Sequence, residues 1–194
     1  MPKKFENTFP REWATYGYYD PKVILPGLQK IRLDIQQSET PEKIRNLRTN
    51  TLKGEREAWD AALFCYLLSK TIGIDIFFSK VEASNYDGIF KWHDGSLLCY
   101  APVQMKELVP VHLNPTASLD KIIQSIKKYG VSPSLIIGIK LNREMQINLA
   151  SINCSQLSVG EVWCYGATAS DETKWSLFGD FLSEVNQYEH HLHW

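Results

Sequence analysis

The chain has 194 residues, 44% of them hydrophobic and 22% charged, with a formal net charge of −1 at pH 7. That length suits one compact domain with an extension, and the composition is that of an ordinary globular protein. The near-zero charge argues against a protein that coats nucleic acid with its whole surface, and with no apolar run reaching about 18 residues a membrane span is not expected. The opening MPKKFENTFPREW lacks the apolar centre of a signal peptide, so the expected location is the cytoplasm. Cys65, Cys99, Cys154 and Cys164 stand singly in apolar stretches with no C-x-x-C pair, which points to reduced core residues rather than zinc ligands or disulfides.

Residues 1–50 read as an N-terminal extension. Pro2, Pro10, Pro21, Pro26 and Pro41 break them, leaving room for one short helix near 26–37. Charge is uneven: residues 1–56 carry +4 and residues 57–194 carry −5. Two readings stay open, a solvated face and a basic arm for an anionic partner, with Lys43, Arg45, Arg48, Lys53 and Arg56 its densest part. From 51 the pattern is regular and reads as an α/β domain to 194. LKGEREAWDAALFCYLLSKTIG is expected as a helix, with Ala58, Ala61, Phe64 or Cys65, Leu68 and Ile72 as its stripe and Gly73 as its stop.

Three strands follow, at 74–82, 86–93 and 96–109, the last two joined by a turn at Asp94-Gly95. TASLDKIIQSIKKYG then reads as a helix with its N-cap near Ser118 and its stop at Gly130. SLIIGIKL at 134–141 has the continuous apolar character of a strand buried in a parallel sheet, and GEVWCYGATA at 160–169 reads as a further strand. A closing helix is expected near 173–188. The order implies a mixed central sheet flanked by helices, in the α/β (α+β) class. Of the six tryptophans most are expected in the core, with Trp13, Trp59 and Trp92 as the ones that would stack on bases if exposed.

The segment VQMKEL, residues 103–108, sets an amide, a lysine and a carboxylate at the end of an apolar strand, where burial without partners costs several kcal/mol. Side chains alternate along a strand, so Gln104 and Lys106 share a face and Glu107 takes the other. A turn at 94–95 sets residue 87 opposite about residue 102, so Asp87 lies near both. A carboxylate with carbonyl oxygens suits a hard cation such as Mg²⁺, and a lysine beside it can orient or help deprotonate a water and stabilise charge on a phosphate.

Asp87 in NYDGIF, Gln104-x-Lys106 in VQMKEL and a Glu in GEREAW together make the chain resemble the PD-(D/E)xK nuclease superfamily. The resemblance covers about half of the chain, with Gln104 where the pattern has an acidic residue and Tyr86 where it has proline. It implies a restriction-endonuclease-like core of order αβββαβ, here with an extra strand and a C-terminal helix, and metal-dependent hydrolysis of DNA. The cofactor would be Mg²⁺ or Mn²⁺ on Asp87, Gln104 and Glu57, with Glu55 as the other candidate, and Lys106 at the water. Arg45, Arg48, Lys53, Arg56, Lys121, Lys127 and Lys128 would meet DNA phosphates. A homodimer or a partner subunit would also accord with it. The alternative is a catalytically inactive fold that serves as a nucleic-acid-binding or protein-assembly module.

Overall fold

The computed structural model describes residues 9–39, 41, 44, 49, 52–83 and 85–192. Among them are three α-helices and one seven-stranded mixed sheet. The chain divides into two compact units, one holding residues 9–80 and 89–100, the other residues 81–88 and 101–193.

In the first unit, helix α1 spans Pro21–Gln36. It starts earlier than the expected residue 26 because Asp20 accepts a hydrogen bond from the Lys22 N–H and Pro21 occupies the first turn, where no backbone donor is needed. Helix α2 spans Lys53–Ile72 and ends as expected at Gly73, whose φ of 73° is the left-handed conformation that glycine adopts at little cost. The expected stripe is too narrow: Trp59, Leu63, Phe64, Cys65, Leu67 and Leu68 are all buried, while Ile72 is 45% exposed. The Arg32 guanidinium of α1 lies 4.3 Å from the centre of the Trp59 ring, and the Phe64 and Phe90 rings pack 5.7 Å apart. Trp13 and Trp59 are buried and not available to stack on bases, whereas Trp92 is partly exposed.

Strands β1 (Ile76–Ala83), β2 (Tyr86–Asp94) and β3 (Leu97–Leu108) adjoin in that order, and β2 turns into β3 at Gly95 and Ser96, one residue later than expected. Gly95 makes the turn with φ of 60°. Strand β4 (Ser132–Leu141) runs parallel to β3, with Val103 level with Ile136 and Leu108 with Leu141. Strand β5 (Val159–Ala167) runs parallel to β4, so β4 is paired on both sides, as its continuous apolar run predicts.

Helix α3 (Leu119–Ile126) begins at the expected cap, where Ser118 Oγ accepts from the Lys121 N–H at 3.2 Å. Its Leu119, Ile123 and Ile126 join Leu108, Ile137, Ile139, Val162, Cys164 and Phe178 in the core of the second unit. Each such side chain contributes roughly 1.5–3 kcal/mol by leaving water. Burial also pushes up the thiols of Cys154, to about 11, and of Cys164, so both are inert hydrophobic fillers; all four cysteines are free.

The expected C-terminal helix is absent. Residues 173–188 instead supply strand β6 (Lys174–Gly179) and the first half of β7 (Asn186–His191), both antiparallel to their neighbours. The helical spacing of Trp175, Phe178, Phe181 and Leu182 loses to Gly179-Asp180 in the middle of the run. Gly179 has φ of 146°, and a Cβ there would stand 2.7 Å from the Trp163 ring, so the position requires glycine. Asp180 Oδ1 then accepts from the N–H groups of Val162 and Leu182, which turns the chain between the strands.

Candidate active site

The β2–β3 hairpin aligns the polar residues. Strand β2 ends at Asp94 and β3 begins at Leu97, so seven steps back from each side of the turn bring residue 87 level with residue 104. The later turn moves the facing position from 102 to 104, directly onto the glutamine. Gln104 and Lys106 lie on the face whose β4 neighbours are Ile137 and Ile139, with Gln104 only 7% exposed and Lys106 partly buried. Glu107 takes the opposite face and accepts a hydrogen bond from Asn142 Nδ2 at 2.7 Å.

Gln104 is satisfied by Asp87. Its Nε2 donates to Asp87 Oδ2 and also reaches the Met105 carbonyl at 3.3 Å. The Met105 N–H donates to the same carboxylate oxygen at 2.8 Å. One β2 carboxylate therefore collects a side-chain and a backbone donor from β3, and charge-assisted bonds of this kind fix its orientation. The amide turns its nitrogen, not its oxygen, toward the acid.

Lys106 projects on the same face, and its ammonium lies 5.4 Å from the centre of the Tyr129 ring. Among the described residues Lys106 Nζ makes no hydrogen bond or ion pair, so the ring is its direct contact. Burial lowers its pKa from the ordinary lysine value, and the Asp87 charge opposes that shift. Tyr129 is shifted up by burial; the neighbouring Lys128 ammonium works against this and Asp87 adds to it. Asp87, Lys106, Lys128 and Tyr129 thus form one electrostatic neighbourhood.

The other expected residues fare differently. Glu57 is bound at 3.3 Å by both Lys53 and Lys80, and Lys80 also donates to the Gly54 carbonyl. Glu55 is exposed. Among the described residues no three His, Cys, Asp or Glu side chains converge to hold a metal. Arg45 and Arg48 lie outside the described residues, as does Lys43. Lys53 is taken by Glu57, and Arg56 is partly buried on α2. Lys121, Lys127 and Lys128 are exposed on α3 and the turn after it, where Lys121 donates to the Thr116 carbonyl and Lys127 to Gln156. Sequence reasoning missed the Met105 N–H and Tyr129. The first is invisible in a pattern of side chains, and the second sits just before Gly130, where it passes for the end of a helix.

No protein-family model, no curated protein and no solved structure matches the chain.

Proposed function

We propose that the protein is a metal-dependent nuclease that hydrolyses phosphodiester bonds in DNA, with a restriction-endonuclease-like core of the PD-(D/E)xK kind and Gln104 in place of the acidic residue. The observation that carries this reading is the meeting of Asp87, Gln104 and Lys106 on β2 and β3, with the carboxylate hydrogen-bonded to the amide and the lysine partly desolvated. The order α2, β1, β2, β3, α3, β4, with β4 parallel to β3, accords with the αβββαβ core.

The residues present suit a hydrated cation and would not make an all-protein cage. Mg²⁺ and Mn²⁺ take oxygen ligands, and Mg²⁺ commonly keeps several waters beside one or two carboxylates. Asp87 would hold it, joined by the Gln104 oxygen if the amide turned over, whereas Glu57 is already neutralised by two lysines in the other unit. Such an ion supplies charge neutralisation at the phosphate and a more acidic water. Asp87 is held in one orientation by Gln104 and the Met105 N–H. Lys106 donates its N–H groups to a phosphate oxygen or to the attacking water. Lys121, Lys127 and Lys128, with Arg45, Arg48, Lys53 and Arg56, supply salt-sensitive attraction to neighbouring phosphates.

The test is incubation of the purified chain with double- and single-stranded DNA in Mg²⁺ or Mn²⁺, with EDTA as control. Cleavage that requires the cation is expected; no cleavage of either substrate with either ion removes the reading. One observation favours a second reading, a binding or assembly module without turnover: Asp87 Oδ2 already takes two N–H donors, and no three acidic or imidazole groups converge among the described residues. Calorimetric titration with Mn²⁺ separates the two, since absence of binding favours the module.

Gln104→Glu gives a further expected result. It removes the donor to Asp87 and sets two carboxylates against each other, so stability without cations should fall by about 1–3 kcal/mol. A cation between the two acids would restore it, because a ligand bound by the folded state alone stabilises that state. Thermal denaturation with and without Mg²⁺ reads both effects. An equal Mg²⁺ response in Gln104→Glu and wild type would count against a cation at this pair.

A further inference from the structure

We infer that Tyr129 is a positioning residue for Lys106: its ring holds the ammonium beside Asp87 without consuming the lysine's N–H donors, which stay available for a phosphate oxygen or a water. This rests on the nuclease reading above and adds to it a residue from a different part of the chain.

A partly buried lysine needs something in place of the water it has lost. A carboxylate is the usual answer, and Glu57 provides it for Lys80. An ion pair, however, neutralises the ammonium and occupies its donors. An aromatic face attracts the cation through its quadrupole and occupies none of them. Lys106 has the second arrangement, with Nζ 5.4 Å from the Tyr129 ring centre and no ion pair among the described residues.

Both partners are held on rigid backbone. Lys106 is in β3, level with Ile139 of β4. Tyr129 closes a single 3-10 turn after α3, fixed by a hydrogen bond from the Gly130 N–H to the Lys127 carbonyl at 3.1 Å and one from Ser132 Oγ to the Tyr129 carbonyl at 2.8 Å. Gly130 follows with φ of 59°, a conformation that suits glycine, and the ring packs partly buried against the core. Lys128 Nζ lies 5.0 Å from the same ring, on an exposed residue. The ring therefore lies beside one cation that faces solvent and one that sits near Asp87.

The experiment compares wild type with Tyr129→Phe, which keeps the aromatic face, and with Tyr129→Leu and Tyr129→Met, which fill the space without one. The first readout is the proton shift of the Lys106 ε-methylene in protein carrying ¹³C-labelled lysine, which needs neither cation nor DNA. A ring-current shift is expected in wild type and Tyr129→Phe and should vanish in the leucine and methionine variants. The second readout is the split between turnover and DNA binding. The leucine and methionine variants should lose about tenfold in kcat, the order expected for a partly desolvated cation–π contact, with DNA Kd little changed, and phenylalanine should restore kcat. An unchanged Lys106 signal in both non-aromatic variants, or kcat equal to wild type in both, overturns the inference. Wild type that does not cleave DNA removes the nuclease reading instead, and the ring-current readout alone then decides whether Tyr129 holds Lys106.

Discussion

Replacing Lys106 by alanine is expected to lower the rate of Mg²⁺-dependent DNA cleavage by about 10²–10³-fold, the range for removing one positioned donor that stabilises developing charge. The ammonium is partly desolvated, rests on the Tyr129 ring and makes no ion pair among the described residues, so its loss leaves no carboxylate stranded. The folded state should therefore survive, and DNA affinity, which spreads over many phosphate contacts, should change little. Asp87→Ala should match this loss for a different reason. It removes the carboxylate that accepts from both the Gln104 amide and the Met105 N–H, so some loss of stability is expected beside the loss of rate. Single-turnover cleavage with circular dichroism as the fold check decides the matter. A Lys106→Ala protein that cuts at the wild-type rate would remove this residue from the chemistry.

Phe64→Ala is expected to destabilise the unit that contains α2 by about 3–5 kcal/mol, the cost of deleting a buried aromatic ring and leaving a cavity. Phe64 is fully buried on α2 and its ring packs on Phe90 of β2. Typical domains have only about 5–15 kcal/mol of stability, so this one change removes a large part of it. Trp59 is 1% exposed in the same unit and contributes, with the other tryptophans, to the fluorescence change during urea unfolding. The midpoint should fall with the slope unchanged. A midpoint within error of wild type would mean that α2 is not the packed element described. Comparison of the two substitutions also separates chemistry from folding, since Lys106→Ala should slow cleavage strongly while moving the midpoint little.

Much of this arrangement was legible in the residues. Gly73 and Ser118 mark helix ends because left-handed backbone and an unpaired N–H demand those residue types, and both fall where expected. The continuous apolar run of β4 announces a strand paired on both sides. Asp87, Gln104 and Lys106 could be grouped because a short hairpin and the two-residue alternation of strands make their proximity a matter of counting. The same kind of counting failed at 173–188, where apolar spacing compatible with a helix was overridden by a glycine pressed against Trp163 and an aspartate that turns the chain. It failed again for Ile72, since a stripe drawn along one helix says nothing of where neighbouring elements end.

The sequence by itself determined the local facts: the α/β class, the strand that carries Gln104 and Lys106 on one face, and the hairpin that returns Asp87 to them. These depend on backbone periodicity and on turn residues, which act over a few positions. Only the tertiary structure decided how the polar groups are satisfied. It turned the Gln104 nitrogen toward Asp87, added the Met105 N–H, bound Glu57 to Lys53 and Lys80, and brought Tyr129 from beyond α3 to the Lys106 ammonium. The reason is physical: a buried donor or charge takes whichever partner the packing brings within reach, and that partner is set by the three-dimensional path of the chain, not by distance along it.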